Sequence, residues 1–283
     1  MTTQVRFWGV RGSIASPGPE TARVGGNTSC VEVSSGETTL ILDAGTGIRK
    51  LGDALMREGR AQNLTLLLSH LHWDHIQGLP FFVPAYLPST HLEVVGATWS
   101  EMPVSRVLEH QMTAPVFPVR LDELPASITT REMRNGETIQ IGAATVRARK
   151  LNHPGGVLGF RIELDGCTVV YATDTEHYAC IDPSLVALAS GADVLIYDAQ
   201  YTPEEYRGQS GPSKVGWGHS TWEVACQVAK AAGVGSLQLF HHDPRRSDDE
   251  VDEIERKART LFERTCAARE GTCIELGAVA RAA

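Results

Sequence analysis

The segment from Leu64 to His75 constrains the fold more than any other part of the chain, because an apolar run there ends in three histidines and an aspartate. Residues 64–69 predict a buried β-strand. In the extended stretch at its end, His70 and His72 project to the same side, so both can bind one metal ion. If the chain then turns into a helix, Asp74 and His75 point towards a second ion nearby. We therefore predict a metal site at the end of this strand.

Four side chains do not complete two metal sites, so further ligands are expected from other loops. His153, Asp174 and His241 each follow the end of a predicted strand, where loops meet beside a β-sandwich. These three residues are the candidates for the missing ligands. On position alone, His242 is an alternative to His241.

Short apolar runs between turn residues predict two series of strands. The predicted strands are Val5 to Trp8, Cys30 to Val33, Thr39 to Asp43, Leu64 to Ser69, Ile128 to Glu132, Glu137 to Ile141, Ala144 to Lys150, Val157 to Leu164, Thr168 to Ala172, Asp193 to Asp198, Leu237 to Phe240 and Cys273 to Leu276. The first five strands of the second series are expected to form a meander, with hairpin turns at Asn135-Gly136 and Asp165-Gly166.

Predicted helices lie around Ile48, Leu51 and Leu55, around Val104, Leu108 and Met112, and at Pro183 to Ala189, Thr221 to Ala232 and Asp248 to Ala268. Residues 76–126 carry seven prolines and are otherwise expected to be irregular. Two β-rich halves with helices attached to each predict an α/β (α+β) protein, a four-layer αββα sandwich. We expect residues 1–283 to form a single domain.

The ordered candidate ligands resemble the motifs of the metallo-β-lactamase superfamily over roughly residues 3–278, which implies that superfamily's fold. The resemblance implies a hydrolase with two divalent metal ions, most readily Zn²⁺, although Mn²⁺ or iron suits the same ligands. It implies that one ion is held by His70, His72 and His153, that the other is held by Asp74, His75 and His241, and that Asp174 and a hydroxide bridge them. Asp43 is similar to the aspartate that supports this site without binding metal.

The segment from Gly218 to Thr221 is similar to a motif of the ribonuclease Z branch and its cyclic-nucleotide phosphodiesterase relatives. In that branch the histidine assists catalysis, and its distance to the last metal ligand matches His219 to His241 and not to His242. The resemblance implies that Asp74 and His219 are catalytic and that Asp198 supports them. Ser220 is expected to cap the following helix and to contact substrate.

Two features favour a small phosphodiester, of the cyclic nucleotide or cyclic phosphate type, over a long nucleic acid. Only 20 residues separate His153 from Asp174, whereas ribonuclease Z carries a long tRNA-gripping arm there. The formal net charge of −8 also disfavours a broad surface for a nucleic-acid backbone. The alternatives are an RNA endonuclease of the ribonuclease Z type, a thioester or lactone hydrolase on the same fold, and a metal-bearing binding subunit without activity.

The glycine-rich N-terminal stretch supplies two further candidates for substrate binding. Arg11, together with Asn27 after Gly25-Gly26, is expected to place a guanidinium and backbone amides near a phosphate. A plain surface loop is the alternative.

The chain shows neither a secretory signal nor a membrane span, so we expect a cytoplasmic protein with no membrane partner. The six cysteines contain no Cys-x-x-Cys pair and are expected to be reduced. The sequence leaves the oligomeric state open, with a homodimer among the options.

Overall fold

The computed structural model of the chain describes residues 2–99 and 101–277, which form two seven-stranded sheets with helices. The strands are β1 (Thr3–Gly9), β2 (Cys30–Ser35), β3 (Thr38–Leu42), β4 (Asn63–Leu67), β5 (His91–Gly96), β6 (Ser127–Glu132), β7 (Thr138–Ile141), β8 (Ala144–Leu151), β9 (Val157–Leu164), β10 (Cys167–Ala172), β11 (Val194–Asp198), β12 (Ser236–Phe240), β13 (Thr265–Ala267) and β14 (Cys273–Leu276). The helices are α1 (Ile48–Glu58), α2 (Trp73–Ile76), α3 (Val104–Gln111), α4 (Pro183–Ala189), α5 (Pro203–Tyr206), α6 (Trp222–Ala232) and α7 (Asp248–Leu261).

Each sheet is half antiparallel and half parallel. The first has the order β14-β1-β2-β3-β4-β5-β6, and the second has the order β13-β12-β11-β10-β9-β8-β7. Strands β3 to β6 are parallel in the first sheet, and strands β10 to β13 are parallel in the second. Parallel strands bring their carboxyl ends to one edge of the sheet, where open α/β sheets bind ligands.

The two-residue period of the strands divides their side chains between two kinds of core. In β3, Leu40 and Leu42 pack between the sheets, whereas Ile41 packs in the cluster that contains the apolar residues of α1 and α3. In β11, Ile196 faces the other sheet, whereas Leu195 packs in the cluster that contains residues of α4, α6 and α7. Helices therefore cover the outer face of each sheet, and the predicted αββα sandwich is confirmed.

The predicted meander is wrong in its first strand. Strand β6 pairs parallel with β5 in the first sheet, so Asn135-Gly136 is not a hairpin turn but lies where the chain crosses to the second sheet. The antiparallel series is β7 to β10. Asp165-Gly166 does connect a hairpin, between β9 and β10, and both residues have the positive φ of such turns (50° and 77°).

Two short strands were missed for physical reasons. Strand β5 lies in the proline-rich region that was expected from the sequence to be irregular. Tertiary packing stabilises the strand there, because Leu92 and Val94 pack towards the helices and Val95 packs between the sheets. Strand β13 lies where the sequence predicted a helix as far as Ala268, but the helix ends at Leu261. Parallel pairing of Thr265–Ala267 with β12, together with burial of Ala267, overrides the local helical preference.

No helix of residues 2–99 and 101–277 combines the length and the apolar character that crossing a membrane requires.

A close backbone approach fixes α2, the helix that carries Asp74 and His75. The amide of Gly78 donates a 2.8 Å hydrogen bond to the carbonyl oxygen of Ala44. A Cβ atom at residue 78 would lie 2.0 Å from the carbonyl oxygen of Gly45 and 2.7 Å from Cγ2 of Ile48. Only glycine allows the helix to lie this close to the loop after β3.

We expect Gly78→Ala to lower the free energy of unfolding by about 1–3 kcal/mol, because the added methyl group forces backbone apart. Urea denaturation measures the change. Gly18→Ala is the matched control, since a Cβ there meets nothing within 4 Å; its effect should stay within about 0.5 kcal/mol. Equal unfolding midpoints for the two variants would contradict the close approach.

Candidate metal centre

The predicted ligands meet at the edge formed by the carboxyl ends of the strands. Each lies in the connection that follows a strand. The end of β8 lies at the same edge as the ends of β10 to β12, because β8 runs in the same direction as these strands. The site residues are Asp43 after β3, His70 to His75 after β4, His153 after β8, Asp174 after β10, Asp198 at the end of β11 and His241 after β12. The fold thus joins residues almost 200 positions apart in the chain.

Three histidines form a first set of donors. Nδ1 of His72 lies 3.0 Å from Nε2 of His153, and the ligand atoms of His70, His72 and His153 all lie within 4.8 Å of one another. This spacing suits three ligands around one cation.

A second set joins Asp74, His75 and His241 with Asp174. Oδ2 of Asp74 lies 3.3 Å from Nε2 of His75 and 3.3 Å from Nε2 of His241. Oδ1 of Asp174 lies 3.2 Å from each of the same two nitrogen atoms.

The carboxylate of Asp174 lies between the two sets. Its Oδ1 faces the second set, while its Oδ2 lies 3.7 Å from Nε2 of His70 and 3.7 Å from Nε2 of His153 in the first. One oxygen for each set is the arrangement that a bridging ligand requires.

The charges and protonation states fit divalent cations. Asp43, Asp74, Asp174 and Asp198 are all buried, and within the described residues their ion pairs are with histidines alone. Buried carboxylates require compensating charge. Nε2 of His70 and Nε2 of His75 are buried and have no hydrogen-bond partner among the described residues. A metal ion would satisfy both demands.

The pKa shifts agree with this interpretation. Burial lowers the pKa of His70 well below its usual value and keeps the ring neutral, which is the form that binds a metal. Burial would raise the pKa of Asp174, but the nearby histidines, His241 foremost, outweigh it and hold that pKa well below its usual range. His70 is therefore a neutral imidazole and Asp174 an ionised carboxylate. Burial would lower the pKa of His75, but the carboxylates of Asp74 and Asp174 outweigh it and raise that pKa well above its usual value, so metal binding would release a proton from this ring.

The family assignment follows from a match that spans most of the chain. A family model described as "Beta-lactamase superfamily domain" matches residues 38–242, which include every predicted metal ligand. The chain belongs to this superfamily.

Relatives of this superfamily member cover nearly its whole length. A protein named Ribonuclease Z from Mycobacterium sp. (strain KMS) is 28% identical over 272 residues, which cover 88% of each chain. The solved structure of the metallo-β-lactamase fold protein YhfI from Bacillus subtilis has a TM-score of 0.72 at 22% identity and covers 97% of this chain and 99% of that one. A diphosphatase from the PhnP family has a TM-score of 0.70 at 18% identity, with 98% of both chains covered. The chain is thus a hydrolase of the metallo-β-lactamase fold with clusters that can bind divalent metal ions.

Hydrogen bonds with neighbouring groups orient the candidate ligands. Nδ1 of His75 donates a hydrogen bond to Asp43 at 2.8 Å. Nδ1 of His241 donates to Oε1 of Gln200 at 2.9 Å. Nδ1 of His153 donates to the carbonyl oxygen of Gly218 at 2.8 Å. Each contact occupies Nδ1 and leaves Nε2 for a metal. Asp43 also accepts hydrogen bonds from Ser69 and Tyr171, which places it in the predicted supporting position.

Three site residues have left-handed backbone, which is strained for residues other than glycine. The φ angles are 63° at Asp43, 52° at Asp174 and 61° at His241. Such conformations cost about 1–3 kcal/mol each and occur mainly at functional sites. Here they turn side chains into the cluster directly after a strand ends.

His219 lies beside the second set of ligands. Its ring stacks on that of His241, with centroids 4.9 Å apart and an angle of 20° between the planes. Asp198 lies 2.8 Å from Nδ1 and also accepts hydrogen bonds from the backbone amides of Gln200 and Ser220. Burial lowers the pKa of His219, but Asp198 outweighs it and raises this pKa to about 9. Bound cations would lower this pKa again, because like charges disfavour protonation.

The geometry also separates His241 from His242. Whereas His241 joins the second set, His242 turns away, and its Nε2 donates a 3.0 Å hydrogen bond to the carbonyl oxygen of Ala268. Burial lowers the pKa of His242 to about 3, so the ring is a neutral structural donor.

Arg11, predicted to bind substrate, does not face the site. Its side chain is 0% exposed and donates to the carbonyl oxygens of Gly25, Asp243 and Arg246. It ties the N-terminal loop to the start of α7, and these bonds leave it unable to reach a phosphate.

Asn27 and Ser220 also depart from their predicted roles. The Asn27 side chain donates to Glu270 at 2.8 Å, on a cavity lined by residues outside the ligand cluster. Ser220 is buried and bonded to His177, and the cap of α6 is Thr221. In both cases a protein partner occupies the polar group that was expected to meet substrate.

Two supporting residues, Gln200 and Ser13, were not predicted from the sequence. Gln200 lies two residues beyond Asp198, and this closeness in sequence was the available signal. The backbone amide of Ser13, which donates 2.8 Å to Oδ2 of Asp74, left no signal because any residue supplies an amide.

Asp174→Asn should lower metal affinity more than about tenfold, because one carboxylate oxygen then becomes an amide that cannot bind a cation. Metal titration and elemental analysis of the dialysed protein measure this loss. His110→Ala, which removes an exposed histidine on α3, is the control and should keep the wild-type metal content. Equal metal content in both variants would contradict the expected role of Asp174 in binding metal.

Proposed function

We propose that this chain is a dinuclear metal-dependent phosphodiesterase that hydrolyses small phosphodiesters of the cyclic nucleotide or cyclic phosphate type. The observation that carries the proposal is the Asp198–His219 pair directly beside the second ligand set. A ligand cluster alone would serve many hydrolytic reactions, whereas a positioned histidine adds a proton donor for an oxygen leaving group.

Zn²⁺ is the proposed metal, because histidine-rich sites with carboxylates suit it, although Mn²⁺ and iron fit the same donors. His70, His72 and His153 would hold one ion, and Asp74, His75 and His241 would hold the other. When bound, the two ions would neutralise phosphate charge and lower the pKa of water, which supplies the nucleophile.

Side chains of the protein would donate the proton and orient the attacking water. Asp198 holds Nδ1 of His219, so Nε2 is the nitrogen left for substrate; among the described residues it has no hydrogen-bond partner. His219 would donate a proton to the leaving oxygen or a hydrogen bond to the phosphate. Asp74, fixed by the Ser13 amide, would orient the attacking water.

The preference for small diesters rests on charge and on the length of one connection. The interval between His153 and Asp174 consists of β9, β10 and their two-residue turn, which leaves no room for a protruding arm. With the net charge of −8, long nucleic acid is the less favoured partner.

An RNA endonuclease is the second candidate, since the Mycobacterium relative that matches most of the chain is named Ribonuclease Z. A substrate panel separates the candidates: a 2′,3′-cyclic nucleotide, bis-p-nitrophenyl phosphate, precursor tRNA at low salt, and a model thioester. Cleavage of precursor tRNA alone would favour the second candidate. Hydrolysis of the thioester alone would exclude both.

His219→Ala should retain its metal and lose about 10²–10⁴-fold in kcat on a phosphodiester, because the proton donor is removed while every ligand remains. Elemental analysis and steady-state kinetics on the same preparation check both parts. Asp198→Asn should show a smaller loss, since the ring stays in place but loses its carboxylate partner. Full activity of His219→Ala would remove this residue from the mechanism.

Removal of metal by a chelator should abolish turnover and also lower the melting temperature. The second effect follows because the buried carboxylates lose their compensating charge and because a ligand of the folded state stabilises it. Differential scanning calorimetry measures it independently of activity, with re-addition of Zn²⁺ as the control. An unchanged melting temperature would argue against a bound metal pair.

A further inference from the structure

A buried carboxylate next to the metal cluster organises the loop that leads to His219. The loop comprises residues 207–218, and its anchor is Glu176, which is 1% exposed and lies two residues after Asp174. Glu176 accepts hydrogen bonds from the amides of Gly216 and Gly218 at 2.7 and 2.8 Å and from the hydroxyl of Tyr206 at 2.7 Å. The end of the loop is therefore held rigidly against the site.

This loop presents a positive charge that has no carboxylate partner. Nζ of Lys214 lies 3.8 Å from the centroid of the Trp217 ring and 5.7 Å from that of Tyr201. The Tyr201 ring contacts His219, with centroids 5.9 Å apart. Within residues 2–99 and 101–277, Lys214 forms no ion pair, although the chain is strongly acidic. Lys214 thus contacts a ring that itself contacts His219, and its charge is available to an anion.

The same loop presents an aromatic surface. Trp217 is 55% exposed, although Lys214 covers one face of its ring. The next residue is Gly218, whose carbonyl oxygen accepts a hydrogen bond from His153, so Trp217 adjoins in sequence a residue that contacts the metal cluster. A hydrogen bond from the Trp217 amide to the carbonyl oxygen of Lys214 (3.1 Å) closes the turn that holds the two side chains together. An exposed, preorganised indole is a stacking platform for a planar base.

We propose that Trp217 and Lys214 form a substrate subsite that selects phosphodiesters of nucleosides. The base stacks on the indole of Trp217, and the ammonium group of Lys214 pairs with a phosphate oxygen. This inference rests on the proposed phosphodiesterase function and narrows it to nucleotides.

The test compares two diesters with the same leaving group. Thymidine 5′-(p-nitrophenyl phosphate) carries a base, whereas methyl p-nitrophenyl phosphate does not, and both release p-nitrophenolate. Trp217→Ala should lower the ratio of kcat/KM for the nucleoside diester to that for the methyl diester about tenfold. Trp217→Phe, which keeps a stacking ring, should restore most of the ratio. Lys214→Met should raise KM for both diesters about tenfold, whereas Lys257→Met, a control on α7, should not.

The possible outcomes test the nucleoside subsite and the phosphodiesterase activity separately. An unchanged ratio in Trp217→Ala would overturn the subsite while leaving the phosphodiesterase intact. So would a ratio lowered only by Trp73→Ala, which removes the 71% exposed indole between His72 and Asp74. If the wild type hydrolyses neither of these diesters nor the 2′,3′-cyclic nucleotide, the proposed function fails. Calorimetric titration with thymidine 5′-monophosphate then still tests the subsite: about tenfold weaker binding to Trp217→Ala supports it, and equal binding overturns it.

Discussion

The carboxylate of Asp174 is the group on which the rest of the site depends. It is buried between two sets of histidines and offers one oxygen to each set. An ionised carboxylate in the interior is unfavourable unless positive charge surrounds it. Four buried aspartates whose ion pairs, within the described residues, are with histidines alone make this demand acute. The cluster is therefore suited to bind cations, and the surrounding fold keeps its carboxylates and histidines close together.

The fold satisfies this demand by ending several strands at one edge. Asp43, Asp174 and His241 each adopt left-handed backbone immediately after β3, β10 and β12. Their strain, about 1–3 kcal/mol per residue, has to be offset by packing of the strands and by hydrogen bonds within the site. The side chain of Asp43 illustrates the compensation, since it accepts hydrogen bonds from Ser69 and Tyr171 and contacts His75. Strand packing and hydrogen bonds therefore offset the backbone strain and hold the candidate ligands in place.

The residues of the cluster could be predicted from sequence because their signals are local. The spacing of His70 and His72 and the positions of His153, Asp174 and His241 after strands follow from strand geometry, and the superfamily resemblance ordered them. The polar contacts of Arg11 and Ser220 were not predictable, because each depends on partners distant in the chain, such as the carbonyl oxygen of Arg246. Strand β13 was missed for a related reason, since its conformation comes from pairing with β12 and not from its own residues.

The candidate metal cluster and the proposed subsite lie in different parts of this molecule. The candidate ligands follow the ends of strands, whereas Lys214 and Trp217 lie on a glycine-rich loop between α5 and α6. Loops tolerate change far better than strand ends do. Glu176 connects the two parts, because it follows Asp174 closely in sequence and yet holds the amides of Gly216 and Gly218. A member of this fold can therefore change its substrate by altering the loop while the anchor and the cluster remain, which is why a shared fold does not by itself specify the substrate.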